Sequence, residues 1–324
     1  MKFRPITLTI LGVLSTLGFP TGPAAAQSPT ARPVRLMVTY PPGGATDISA
    51  RLIAPRLGET LGQQLIVDNR PGASGMIATA LLARAAPDGH TILVVDTAHG
   101  ANPALNDKMA YDTLKDISGV SLLMRVPMLF LVNPAFPAHS VKELIALAKA
   151  SPGKYNYGSA GLGSTMYLLA ELFKASAGID LVHVAYKGGG PALAEVMGGQ
   201  IPITFLSTAA SMSQVKAGRV RALAISGRER SPVAPDVPTV AESALPGFEF
   251  YLWQAVLVPS GMPQTVMARL GNAVNATLTH ADTNERFTSL GAEATPTTPQ
   301  QADAYIRLQV ERWIKTLKPA PAAR

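Results

Sequence analysis

Short apolar runs alternate with longer segments in which apolar residues recur every three to four positions, and the alternation continues through most of the chain. The runs predict strands at 34–40, 65–69, 91–96, 155–159, 181–186, 201–206 and 221–226. The helical spacing predicts helices at 46–61, 76–86, 141–150, 165–177 and 191–197, with closing helices at 266–278 and 302–317. Strands alternating with helices in this way point to α/β architecture built on mainly parallel sheets. Two long apolar strands, 128–133 and 251–258, bracket the middle of the chain, the first ending in Asn133-Pro134 and the second followed by Pro259-Ser260. Such a pair carries a chain out to a second lobe and back. The expected organisation is lobe 1 from 27–132 and 252–324 and lobe 2 from 133–251. Without the leader expected at 1–26, the 324-residue chain leaves 298 residues, which suits two domains of about 150 residues each.

The first residues set the expected compartment. Lys2 and Arg4 precede an apolar stretch at 6–19, Pro20 and Gly22 break it, and Ala24-Ala25-Ala26 offers a small-residue cleavage site. This is the pattern of a signal peptide spanning 1–26, and its apolar part is short of the roughly 20 residues a membrane-spanning helix needs. A periplasmic protein is expected. With no cysteine anywhere, disulfide frameworks, zinc fingers and thiol nucleophiles are excluded. Loss of Lys2 and Arg4 with the leader lowers the formal charge from +7 to +5. The remaining Lys and Arg are scattered and aromatics are only 6%, so neither a basic stripe nor a stacking platform for nucleic acid is present.

Three glycine-rich segments fall at one kind of position, after a strand and before a helix. They are Pro41-Pro42-Gly43-Gly44-Ala45-Thr46-Asp47, Ser159-Ala160-Gly161-Leu162-Gly163-Ser164-Thr165 and Tyr186-Lys187-Gly188-Gly189-Gly190-Pro191. In an open α/β sheet this is the carboxyl end of the strands, where ligands collect. Glycine lets a ligand approach the backbone, and the free amides of a first helical turn attract anions. One loop in the first lobe and two in the second suggest a cleft that grips an anion from both sides. The third segment lacks the Gly-Lys-Ser/Thr of a phosphate-binding loop and the second lacks the third glycine of a dinucleotide fingerprint, so a carboxylate fits better than a nucleotide. Asp47 reads equally as a carboxylate at a helix N-terminus or as part of the site, and Lys187 as a solvated charge or an anion partner.

Catalysis has little support. There is no Gly-x-Ser-x-Gly elbow, and His90, His99, His139, His183 and His280 show no paired-ligand spacing. Asp96 and His99 lie three apart after a strand without a third ligand, so no metal is expected, and His183 reads as a hydrogen-bonded structural histidine. No cofactor is expected either.

Ordered matches along nearly the whole chain give it a family likeness. Tyr40-Pro41-Pro42-Gly43-Gly44, Val67-Asp68-Asn69-Arg70-Pro71-Gly72-Ala73-Ser74-Gly75, Pro87-Asp88-Gly89-His90-Thr91, Asn102-Pro103-Ala104-Leu105, Tyr186-Lys187-Gly188 and Pro235-Asp236-Val237-Pro238-Thr239 carry it. The chain resembles the Bug-type periplasmic solute-binding proteins of tripartite tricarboxylate transporters. The resemblance implies a two-lobed periplasmic binding fold, type II-like, with the ligand in the inter-lobe cleft. It implies a small organic carboxylate as ligand, membrane permease subunits as partners, a monomer, and no enzymatic activity. It also makes 41–47 and 186–189 the two sides of a carboxylate pincer, acting largely through backbone groups and water. Members of that family often carry His after the second glycine loop, where this chain has Tyr167, and Asp after the Gly-Gly-Gln strand, where it reads Phe205-Leu206-Ser207. If Ser207 faces the cleft, no carboxylate stands there to pair with a ligand ammonium, which favours a non-amino acid; the plain alternative is that Ser207 ends its strand and starts a helix. A receptor presenting its closed form to a membrane sensor kinase would use the same cleft.

Overall fold

The computed structural model describes residues 32–318. The expected leader at 1–26 therefore lies outside the described residues. In chain order the first lobe contains β1 (Val34–Val38), α1 (Ala45–Leu61), β2 (Leu65–Asn69), α2 (Met76–Ala83), β3 (Thr91–Asp96) and α3 (Ala98–Leu105). A single long strand, β4 (Ile117–Val132), leads out of it. Next come α4 (Val141–Ala150), β5 (Asn156–Ser159), α5 (Thr165–Ala177), β6 (Val182–Ala185), α6 (Gly189–Met197), β7 (Ile203–Ser207), α7 (Thr208–Lys216), β8 (Arg221–Ile225) and α8 (Val240–Ser243). The chain returns through β9 (Tyr251–Pro259) and closes with α9 (Gln264–Thr279), α10 (Ala281–Ser289), β10 (Glu293–Ala294) and α11 (Pro299–Leu317).

One strand order occurs twice. In lobe 1 the parallel set β2-β1-β3 is followed by antiparallel β9, and in lobe 2 the parallel set β6-β5-β7 is followed by antiparallel β4. β4 belongs to both sheets. Up to Pro127 it pairs with β9, ending at the Pro127–Tyr251 pair, and from Met128 it pairs with β7 and β8. The chain thus changes lobes inside a strand, at 127/128.

The apolar runs that read as strands are continuous because both faces of the lobe 1 sheet are covered. Leu36, Val94 and Val256 face α1 and α9, with Ile53, Leu57, Val274 and Phe287 packed on them. Met37, Leu93, Val95 and Leu257 belong to a second core with Leu82, Trp253 and Ile306. Lobe 2 is built around Phe130, which meets Phe173, Phe205 and Phe248 edge to face at centroid distances of 5.0, 4.9 and 6.2 Å. Such pairs add about 0.5–1.5 kcal/mol each beyond area burial. α11 starts with a capping box, Thr298 and Gln301 bonding each other's backbone amides, and then crosses both lobes. Its Ile306 is buried in a lobe 1 core and its Trp313 in the lobe 2 core, 6.1 Å from Phe250.

Candidate ligand cleft

Each glycine-rich loop joins a strand's carboxyl end to a helix N-terminus: 41–44 precedes α1, 160–164 precedes α5 and 186–188 precedes α6. The first loop is braced by the carboxylate that begins α1. Asp47 Oδ2 accepts from the Gly43 amide at 2.9 Å, Asp47 Oδ1 from Asn69 Nδ2 at 2.9 Å, and both oxygens from Arg51 Nε at 3.0 Å. Asn69 Nδ2 also donates to the Tyr40 carbonyl at 2.9 Å, tying the loop to β2. Burial pushes the Asp47 carboxyl up, but the bonds from Arg51, Gly43 and Asn69 outweigh it and hold the pKa below the ordinary value. Asp47 is buried and fully engaged, so it orders the loop. What the loop presents is backbone: Ala45 and Thr46 begin α1, and first-turn amides have no intrahelical partner.

In the second loop Ser159 Oγ accepts from the Gly161 amide at 3.0 Å and lies 2.6 Å from His183 Nε2. His183 stacks on Tyr157 at 5.1 Å and meets Tyr167 at 5.0 Å, so it is a structural histidine as its strand position suggested. Ser164 caps α5 by accepting from the Tyr167 amide, and Thr165 is buried behind it. A side chain at Gly163 would come within 3.2 Å of Leu105 Cδ1 and 3.3 Å of Ser74 Oγ, so this lobe 2 loop rests against lobe 1.

In the third loop Tyr186 is half-buried, with its amide bonded to the Ser159 carbonyl at 2.9 Å, and Lys187 is exposed. Gly188 is the N-cap of α6. Gly189 is packed closely, since a Cβ there would sit 2.6 Å from Leu206 Cδ2 and the leucine would have to shift. Gly44 differs: its φ of −76° suits any residue and its nearest neighbours lie at 3.5 and 3.8 Å. Neither backbone nor packing demands glycine at 44, which leaves that space open to a ligand. Ser207 ends β7 and is the N-cap of α7, but its hydroxyl makes no cap bond. It pairs with Met128, where β4 changes lobes.

Sequence reasoning passed over the polar floor beneath the first loop. Asp96 at the end of β3 accepts from Tyr40 Oη at 3.2 Å and from the Ala98 amide at 3.1 Å. Opposite it on β9, Gln254 bonds Ser49 of α1 and reaches Thr46. Burial pushes the Asp96 carboxyl up to about 6, and the bonds from Ala98 and Tyr40 only partly offset it. Burial and the neighbouring Asp96 likewise raise the Tyr40 hydroxyl. The only available signal was an acid ending a strand at the sheet's carboxyl edge. Among the described residues no group of three or more His, Cys, Asp or Glu could hold a metal.

A cavity of about 600 Å³ lies elsewhere, lined among others by Arg125, Arg228, Arg230, Tyr251 and Glu293. Its Arg125 and Arg230 already pair with Glu293 and Glu242, at 2.7 and 2.9 Å. The glycine loops, by contrast, each precede a helix whose first-turn amides have no intrahelical partner.

The sequence matches the tripartite tricarboxylate transporter family receptor over residues 49–320. The chain belongs to the tripartite tricarboxylate transporter receptor family. This receptor is 34% identical to BugT of Bordetella pertussis, over 94% of each chain. Among solved structures it is similar to an R. palustris protein determined with adipate, at a TM-score of 0.79 and 35% identity, covering 90% of this chain and 98% of that one. It is also similar to the periplasmic binding protein BugD, at a TM-score of 0.76 and 32% identity, covering 89% and 97%. The family is one of receptors and BugD is a periplasmic binding protein; this receptor shares the two-lobed α/β binding-protein fold and is not an enzyme.

Proposed function

We propose that this receptor is exported to the periplasm, captures a small organic carboxylate between its lobes and delivers it to the membrane permease subunits of a tripartite tricarboxylate-type transporter. What supports the reading is that each lobe has a glycine loop ahead of a helix start, at Gly44–Thr46 in one and Gly188–Gly190 in the other, and that the one acid of the first loop, Asp47, is turned inward onto Arg51 and Asn69. A carboxylate accepting several such amides gains about 1.5–3 kcal/mol from each charge-assisted bond. A ligand touching both lobes binds the closed arrangement better and draws the lobes together about β4 and β9. The adipate held by the R. palustris relative supports the carboxylate class. Ser207, at the N-terminus of α7, is neutral, so no carboxylate stands at that position to balance the charge of a ligand ammonium, which favours a solute without one.

The test is a thermal-shift screen of refolded mature protein against mono-, di- and tricarboxylates, aromatic acids and amino acids, followed by X-ray scattering with the strongest hit. A carboxylate should raise the melting temperature and reduce the radius of gyration. Stabilisation by none of the acids, or only by amino acids, would overturn the ligand class.

A further inference from the structure

The floor of the cleft contains an acid whose position is hard to reconcile with an anionic ligand unless its charge is removed. Asp96 ends β3 beside Tyr40, the residue immediately before the first glycine loop. Its Oδ1 accepts both the Tyr40 hydroxyl and the Ala98 amide, while among the described residues no hydrogen bond occupies Oδ2. The residue is nine-tenths buried, with 9% of its surface accessible.

Among the described residues no cation compensates it. Just beyond β1 it meets the Tyr40 hydroxyl; from β9 the neutral Gln254; and from α1 Thr46 and Ser49, both bonded toward Gln254. The charges of α1, Asp47 and Arg51, are closed on each other at 3.0 Å. From α3 it meets the Ala98 amide, and His99 is buried in a different small cavity with Thr113, Leu114 and Ile306. A carboxylate ligand gripped at Ala45 and Thr46 would bring a second negative charge close to an unpaired acid in a poorly solvated place, and like charges there cannot both remain ionised cheaply.

We propose that Asp96 is a specificity-determining residue of the cleft, taking up one proton from solvent as the carboxylate binds and donating it in a hydrogen bond from Oδ2 to a ligand oxygen. This rests on the carboxylate-cleft reading above. An anion beside Asp96 raises its proton affinity above that of the free protein, where burial already places the pKa at about 6. Affinity is then flat below that pH and falls by up to about tenfold per pH unit above it, until Asp96 ionises in the complex as well. A ligand ammonium would do the opposite and keep Asp96 ionised.

The experiment is calorimetric titration of the mature protein with adipate between pH 6 and 8, in buffers of differing ionisation heat, on wild type and Asp96→Asn. Asparagine keeps the acceptor for Tyr40 and Ala98 and carries no charge. Wild type should take up close to one proton at pH 7 and lose affinity as pH rises; Asp96→Asn should take up none and hold the wild-type affinity of pH 6 across the range. Equal proton uptake in both proteins, no uptake in wild type, or loss of binding by a folded Asp96→Asn at every pH would each overturn the proposal. If neither adipate nor any other carboxylate binds wild type at any pH, the cleft reading itself fails and takes this proposal with it.

Discussion

Asp96 and His99 stand three residues apart at the start of α3 and respond to acid in opposite senses. The Asp96 carboxyl is raised by burial from 3.8 to about 6, so between those values the native state holds a proton that the unfolded chain has released. Stability from this group is full below about 4 and is lost as pH rises to 6. His99 is 2% exposed with both ring nitrogens unbonded, and burial lowers its pKa from 6.5 to about 4. Its contribution is full above 6.5 and is lost as pH falls to 4. Each shift corresponds to about 3 kcal/mol at most, and over this window the two roughly cancel. Asp47, with a lowered pKa, acts only below the window. His183, lowered by burial, and Asp303, raised by burial, act over the same window in opposite senses, so wild-type melting temperature should be nearly level from pH 4 to 6.5, while relative to it Asp96→Asn should grow more stable as pH rises and His99→Gln should show the reverse slope. Melts at half-unit intervals check this; parallel profiles for all three proteins would show that these groups do not set the pH response.

At the scale of elements, the loops before α1 and α6 look alike in sequence, two or three glycines ahead of a helix, yet their glycines answer to different causes. Gly189→Ala forces a methyl against Leu206 and should cost about 1 kcal/mol of stability. Gly44→Val meets only ordinary contacts and should fold as wild type while losing carboxylate binding. Paired melts and titrations separate the two, and normal binding by Gly44→Val would remove 41–47 from the site. The repeating runs made most elements legible: 65–69, 91–96, 141–150 and 165–177 match β2, β3, α4 and α5 residue for residue. α3 was not legible, because Gly100 and Pro103 argue against a helix and only its packing explains it. A Cβ at Gly100 would lie 2.9 Å from Gln309 and 3.4 Å from Trp253, so the glycine is what lets α11 and β9 come close. α10 has an exposed polar surface with only Thr283 and Phe287 buried, too thin an apolar stripe to recognise. Within the site the loops were visible as glycine clusters, whereas the Tyr40–Asp96–Gln254 floor joins residues from the first loop, β3 and β9 that no local spacing connects.

For the whole molecule, the shared strand has a consequence for the order in which the protein can assemble. Lobe 2 is one uninterrupted piece, 128–250, whose core borrows buried Ala101, Ala104 and Trp313, and at its edge Leu105, Leu252 and Leu317, from outside it. Lobe 1 is split, and β9 lies between β3 and β4, so these two never touch and a gap one strand wide, about 10 Å between their axes, stays open until β9 arrives. A chain delivered amino end first can thus finish its second lobe while its first still waits for residues beyond 250. In pulsed hydrogen exchange during refolding, amides of β5 and β7 should become protected before those of β3, and β3 should gain protection together with β9. Protection of β3 ahead of lobe 2 would contradict this order. The receptor's older-made half is then the later to harden, and a truncation just after residue 250 should leave a folded lobe 2 attached to an unfinished lobe 1.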